Sequence, residues 1–278
     1  MGEVSREEVS EMARSFKVKD TKSYSLSLSD WSTDTTCGVD KSDGKPVFKS
    51  LRKELRDLQV KLFAEDKHSL LICLNGLDSS GKNSTIKKVF KRVHPHTLET
   101  TGFQPPTQKE KQYDYLWRVH QNVPEQGVVG IFNRSHYEDV TTVRVKNLVE
   151  EETWKRRFRH INEFERLLVD EGTVVLKFFL HISKEFQKER FERRLRREDK
   201  HWKFHPDDVK DRKHWDEFIS VWEDAIARTS TDHAPWYIIP SVNRWFRNLV
   251  MCKILNETIK EIGPEYPPLK VDPDEIEL

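Results

Sequence analysis

The apolar run Leu70-Leu71-Ile72-Cys73-Leu74 leads straight into Gly76-Leu77-Asp78-Ser79-Ser80-Gly81-Lys82, and this join constrains the fold more than any other feature. A short, continuously apolar segment reads as a strand buried on both faces. The G-x-x-x-x-G-K spacing after it, opening a helix predicted over about residues 82–93, is the context in which backbone amides close around phosphate oxygens. Gly76 and Gly81 give the loop its close approach, with Ser79 and Ser80 between them. The helix N-terminus adds a favourable dipole, Lys82 supplies a point charge, and Asn83 and Ser84 follow at the first helical turn. An ordinary glycine-bearing turn is the plainer alternative, but it does not require strand, glycines, lysine and helix in this order. Two residues depart from the usual loop. Asn83 stands where a Ser or Thr normally holds Mg²⁺, and Asp78 is a carboxylate inside a phosphate site. A carboxylate there repels phosphate unless a divalent cation lies between, so Asp78 is expected to take over part of the metal-holding task.

Downstream, apolar runs alternate with helical patterns. Strands are predicted at Gly127 to Phe132, Thr173 to Leu180 and Trp236 to Ile239. Helices are predicted from Pro46, over 108–120, 151–170 and 184–198, as a pair over about 206–228, and over 243–261. This alternation predicts a three-layer α/β fold with a parallel sheet covered on both faces, the fold of P-loop kinases, with ligands at the carboxyl ends of the strands. The expected organisation is a polar N-terminal arm over 1–45 with little regular structure and isolated anchors at Leu28 and Trp31. A P-loop domain over 46–262 follows, with a helical lid at about 184–228, and then a tail over 263–278.

Composition narrows the function. The 48 basic side chains nearly cancel the 47 acidic ones, so the net charge of +1 argues against a nucleic-acid coat, and any polyanion site must come from local clustering. One cluster is plain. Between Lys184 and Lys203 lie nine Lys/Arg against five acids. On a helix, Arg190, Arg193, Arg194 and Arg197 fall within an arc of about 100°. A solvated, salt-bridged face is the bland reading of such a run. Beside a phosphate loop, a row of arginines also suits a chain of phosphates. Three cysteines without zinc or disulfide spacing, no signal segment and no apolar stretch of membrane-spanning length lead to the expectation of a cytoplasmic protein with no membrane partner. His120 and His136 could be bases but read as structural. Tyr113, Trp117, Trp202 and Trp236 read as core or lid packing.

The second strand ends in Ile131-Phe132-Asn133-Arg134-Ser135-His136-Tyr137-Glu138-Asp139. This segment, the phosphate loop, Asp114-Tyr115-Leu116-Trp117-Arg118-Val119-His120, the lid residues Arg190-Phe191, Arg194, Lys200, Trp202-Lys203-Phe204 and Asp211-Arg212, and Ala234-Pro235-Trp236-Tyr237 with Arg244-Trp245 together resemble the family-2 polyphosphate kinases, class III in particular. The resemblance runs in order through about residues 46–262. It implies a thymidylate-kinase-like core and a Mg²⁺-dependent, reversible phosphate transfer between polyphosphate and nucleotides, AMP to ADP and ADP to ATP, with guanine nucleotides as further candidates. It also implies roles. Lys82 and the loop hold the phosphates, and Asp78 and Glu138, with Asp139, position Mg²⁺. Arg134 and Arg118 neutralise charge at the transferring group, while Asn133 and Arg144 contribute to nucleotide or phosphate binding. Arg190, Arg194, Lys200 and Lys203 close over the site. A homo-oligomer, dimer or tetramer, is the expected assembly. Two rivals stay open at this point: an ATP-dependent nucleotide or small-molecule kinase, and a P-loop protein that binds nucleotide without catalysis.

Overall fold

The computed structural model describes residues 5–19 and 25–271. Five parallel strands form one sheet: β1 (Ser69–Asn75), β2 (Leu98–Gly102), β3 (Val129–Asn133), β4 (Thr173–His181) and β5 (Trp236–Pro240), in the order β2-β3-β1-β4-β5. The helices among the described residues are α1 (Arg6–Ser15), α2 (Lys41–Glu65), α3 (Lys82–Val89), α4 (Trp117–His120), α5 (Thr142–Val145), α6 (Glu151–Asp170), α7 (Lys184–Leu195), α8 (Pro206–Lys213), α9 (Trp215–Thr229) and α10 (Arg244–Ile262). Strand β1 shows why the sheet is the middle layer. Its alternate residues Leu70, Ile72 and Leu74 join the core made with Leu51, Leu55, Phe246 and Leu249 of α2 and α10. Leu71 and Cys73 face the opposite core, with Phe164 and Leu168 of α6. Both faces are apolar, so the strand shows no alternation in sequence.

Because every strand runs the same way, all the carboxyl ends share one edge. The sheet reverses its order at β1, between β3 and β4. That is where open α/β sheets leave a crevice, and the loop after β1 lies in it.

The architecture agrees with the sequence reading except in four places. The fifth strand, β2, was not foreseen. It is a sheet edge made of Leu-Glu-Thr-Thr-Gly, mostly exposed, so it lacks an apolar run. The helix expected over 108–120 is replaced by a 3-10 turn at Glu110–Gln112 and the single turn α4. Between them the Asp114 carboxylate accepts hydrogen bonds from the Leu116 and Trp117 amides, at 2.9 and 3.1 Å, and so restarts the chain rather than continuing it.

The helix expected to open at Pro46 starts earlier, at Lys41. Gly44 looks like a break but permits contact, since a Cβ there would lie 2.5 Å from the Trp245 ring on α10. The described part of the N-terminal arm is also more ordered than expected; residues 1–4 and 20–24 lie outside the described residues. Ser5 and Glu8 form a reciprocal capping box, and Val9, Ala13 and Phe16 bury one face of α1 on the α10 side of the sheet. Residues 16–18 then run along β5, with Val18 N–H donating to Trp236 O at 2.8 Å and Ile238 N–H to Phe16 O at 3.0 Å. This pairing covers what would be an open sheet edge. Leu28 is fully buried and Trp31 half-buried, as anchors should be. Of the expected tail, residues 272–278 lie outside the described residues.

Candidate active site

The loop from Gly76 to Lys82 lies beneath α7. A cleft of about 450 Å³ opens between them, lined on the loop side by Asp78, Ser79, Gly81, Lys82, Asn83 and Ser84. Asn133 and Arg134 at the end of β3 close one wall. Arg190, Arg193 and Arg194 of α7, Arg197, Lys200 and Lys203 just beyond that helix, and Arg244 at the start of α10 supply the other. Of the arc expected from helical spacing, Arg190, Arg193 and Arg194 lie on α7 and line the cleft; the helix ends at Leu195, so Arg197 reaches the same wall from extended backbone rather than from the helix.

Within the loop, Lys82 Nζ donates to Gly76 O at 2.6 Å and lies 3.4 Å from Leu77 O, folding back over the turn. Burial and the neighbouring Arg134 push its ammonium down to about 8. Arg134 donates to Asp78 Oδ1 at 2.8 Å. Burial opposes ionisation of Asp78, but Lys82 and Arg134 outweigh it and hold the carboxyl below its usual value. Glu138 is the strongest influence on Arg134, raising its pKa further, and Glu138 accepts a hydrogen bond from Thr142. Asn133 donates its amide N–H to Asn83 Oδ1, tying β3 to the first turn of α3.

A second, narrower pocket of about 70 Å³ lies on the far side of the Asp78–Arg134 pair. Glu138, Thr142 and Lys146 line one side, Asp211 and Arg212 another, and Trp215, Phe218 and Trp222 its aromatic wall. Asp78 and Arg134 belong to both spaces. The two pockets therefore meet at one ion pair.

Three of the expected site residues are elsewhere. Arg118 is buried, lies 3.5 Å from Asp139, donates to Gln104 O at 2.7 Å and packs over the Phe103 ring. Asp139 also faces Arg157 at 3.7 Å, and burial raises its pKa against both cations. These two expected ligands face each other at ion-pair distance and do not line the cleft. Arg144 lies in a separate groove, bonded to Asp224 at 2.7 Å and stacked on Trp154. Among the described residues no three His, Cys, Asp or Glu side chains gather into a metal-holding group. Of the expected metal ligands, Asp78, which lines the cleft beside Lys82, and Glu138 remain near the phosphate loop, with Asp208 and Asp211 of α8 as further carboxylates close by. Such a sparse set fits Mg²⁺, which keeps much of its shell as water and phosphate oxygen.

The aromatic and histidine readings divide. Trp236 and His136 are fully buried and structural. Tyr113 stacks flat on Trp117 with centroids 4.1 Å apart. Trp202, read as packing, is instead 78% exposed on the lid, with Lys203 over its ring.

Some functional neighbours had no sequence signal. Gln187 of α7, 3% exposed, donates to the Asp78 carbonyl at 3.0 Å and accepts from Arg212 at 3.1 Å, so it joins loop, lid helix and α8. Beneath Arg134 lies a fully buried cluster in which Lys177 of β4 bonds to Glu165 of α6, to Tyr137 OH and to Thr229 O. His136 Nε2 sits 3.2 Å from Glu165. This cluster anchors the segment after β3. Lys177 lies inside a strand that is otherwise apolar, and the sequence alone does not show its partner.

Comparison with known proteins agrees with this geometry. The family model for polyphosphate kinase 2 matches residues 38–266. A protein of Meiothermus ruber named AMP/ADP-polyphosphate phosphotransferase is 50% identical over 217 residues, 78% of this chain and 81% of that one. A Rhodopseudomonas palustris protein named ADP-polyphosphate phosphotransferase is 34% identical over 227 residues, 77% of this chain and 78% of its own length. The crystal structure of polyphosphate kinase 2 from Arthrobacter aurescens superposes with a TM-score of 0.89 at 33% identity, covering 98% of this chain and 95% of that one. With phosphate loop, cationic lid and β3 segment assembled around one cleft, and with these matches over most of its length, the chain belongs to the polyphosphate kinase 2 family.

Proposed function

We propose that this protein is a kinase that moves phosphoryl groups between inorganic polyphosphate and adenine nucleotides, in both directions, using AMP and ADP as acceptors. The observation that carries the reading is the pair of pockets sharing Asp78 and Arg134. One is walled by a row of arginines and lysines, which suits a chain carrying about one negative charge per phosphate. The other is smaller and aromatic-walled, which suits a nucleotide. An ATP-dependent small-molecule kinase would share the loop but has no use for so long a cationic wall.

In the forward step an oxygen of the acceptor's terminal phosphate attacks the terminal phosphorus of polyphosphate. A new P–O bond forms, the anhydride P–O bond breaks, and the shortened chain leaves with the bonding pair. The attacking phosphate is largely ionised at neutral pH, so no general base is required. The protein's work is positioning and charge stabilisation. Lys82 and the loop amides hold the donor phosphates. Arg134, between the two pockets, faces the transferring group. The lid arginines hold the chain and exclude water that would hydrolyse it. Mg²⁺, held by Asp78 with Glu138, would screen charge between loop carboxylate and phosphate. The pocket of about 70 Å³ is too small for a nucleotide as it stands, so the lid, tied by Lys146–Asp211 at 2.9 Å, opens to admit one. The family, the lack of disulfides among the described residues and the absence there of any helix long and apolar enough to cross a membrane support a cytoplasmic setting. A homo-oligomer and use of guanine nucleotides complete the proposal.

The test is direct. Purified protein with polyphosphate, Mg²⁺ and AMP, without ATP, should give ADP and then ATP by nucleotide chromatography. Transfer from ATP to a small acceptor with no use of polyphosphate would overturn the reading.

A further inference from the structure

Arg247 enters the phosphate loop from behind. It projects from α10, is 1% exposed, and donates from Nη1 to Ser80 O and from Nη2 to Ser84 Oγ, both at 3.1 Å. Its remaining contacts are to Asn248 Oδ1, from Nε at 3.3 Å and Nη2 at 3.2 Å. Every acceptor is neutral. Among the described residues no carboxylate forms an ion pair with it, although buried arginines are ordinarily matched to an acid. The lysine of the same buried interior, Lys177, follows that rule with Glu165. Gly81 is shaped around Arg247. A Cβ on Gly81, whose φ is +104°, would lie 2.2 Å from Arg247 Nη1. The second glycine of the loop therefore makes room for a cation behind the loop, in addition to letting phosphate approach from the front.

We infer that Arg247 is a positioning residue whose unmatched charge is completed by the phosphate bound on the other face of the loop, so that the loop is built to be electrostatically unfinished until a polyanion arrives. This deepens the proposed function and rests on it. The nearest charges make the same point. Burial, with Arg244 and then Arg190, pushes the guanidinium down to about 9. Both of those arginines line the cleft, so no neighbour relieves the charge and a phosphate chain would relieve all three together. The loop amides and Ser80 carbonyl lie between Arg247 and the cleft. The residue thus acts through the loop, by holding its carbonyl backward and by adding a fixed positive potential behind the amides.

Asn248→Asp tests this with little change of shape. It places a carboxylate on the Arg247 guanidinium and supplies the missing counter-ion. The expected result has opposite signs in two readouts. The ligand-free variant melts no earlier than the wild type, while KM for polyphosphate of defined length rises at least about tenfold, and the rise in melting temperature on adding that polyphosphate shrinks. Arg247→Lys, which keeps the charge but not the fork, should lose less than Arg247→Met on both the KM and the ligand-induced shift. If Asn248→Asp keeps the wild-type KM and ligand-induced shift, Arg247 only braces the loop and the inference is wrong. If Asn248→Asp does not fold, the two Arg247 variants decide it. Equal losses in Lys and Met would overturn it. A wild type that does not use polyphosphate at all would instead overturn the proposed function, so the two failures are distinct.

Discussion

Two regions of this molecule treat charge in opposite ways. Under β3, Glu165 and Lys177 are fully buried and matched, with Tyr137, Thr229 and His136 completing the shell. Burial opposes ionisation of Glu165, but Lys177 and His136 outweigh it and its carboxyl lies below the usual range. In the cleft above, Arg190, Arg193 and Arg244 have no ion-pair partner among the described residues, and Arg247 has none behind the loop. Burial, followed by the neighbouring arginines, lowers the Arg190 pKa. The matched region spends its charges on holding a fold, and the unmatched region keeps its charges available for a ligand. Arg194 stands between the two. It lines the cleft but pairs with Asp208 of α8 at 3.1 Å, a carboxyl whose pKa burial and Asp78 both raise. On the proposed function, a bound phosphate would compete with that acid for Arg194.

The sharpest way to break the comparison is to remove one member of the matched pair. Lys177→Met leaves Glu165 buried without its main counter-charge, and such losses are about 3–5 kcal/mol. A chemical-denaturation midpoint well below the wild type's is expected. A near-neutral change would mean that Tyr137 and His136 alone satisfy Glu165, and the two regions would then differ less than their geometry suggests.

A smaller effect separates them by pH. In the ligand-free protein Lys82 titrates near 8 because burial, then Arg134, disfavours its charged form. Protonated Lys82 is the phosphate-binding form, so kcat/KM for polyphosphate should fall as pH rises through about 8. In the complex the phosphate stabilises the ammonium, so the same limb in kcat should move to higher pH. Coincident limbs in the two profiles would remove Lys82 from phosphate binding.

Much of this was legible in the chain, and most of the misses concern which partner a charged side chain has. Gly76, Gly81 and Lys82 announce themselves because close backbone approach and a point charge demand those residue types at that spacing. The lid arginines are legible through helical periodicity. Arg118, Asp139 and Arg144 were misplaced because a charged residue beside a motif does not reveal whether its partner is a ligand or another side chain. Here Arg118 and Asp139 pair with each other, and Arg144 pairs with Asp224. Arg247 and Lys177 were invisible for the complementary reason. One sits in a closing helix and the other in a strand, and only tertiary packing shows what each touches. The α1 helix is different, since Ser5-x-x-Glu8 followed by Val9, Met12, Ala13 and Phe16 was a readable signal that the polar character of the arm obscured.

The division between matched and unmatched charge is tested most directly by the salt dependence of polyphosphate binding, measured at equilibrium for the wild type and for Arg190→Ala combined with Arg193→Ala. Each cation that grips the chain releases counter-ions when it binds, so the logarithm of affinity should fall steeply with the logarithm of salt in the wild type. The double variant should bind more weakly at low salt with a shallower slope, by about one to two, and should melt within about 1 kcal/mol of the wild type, since neither arginine is matched in the fold. An unchanged slope together with much earlier melting would show that these arginines hold the lid rather than the polymer.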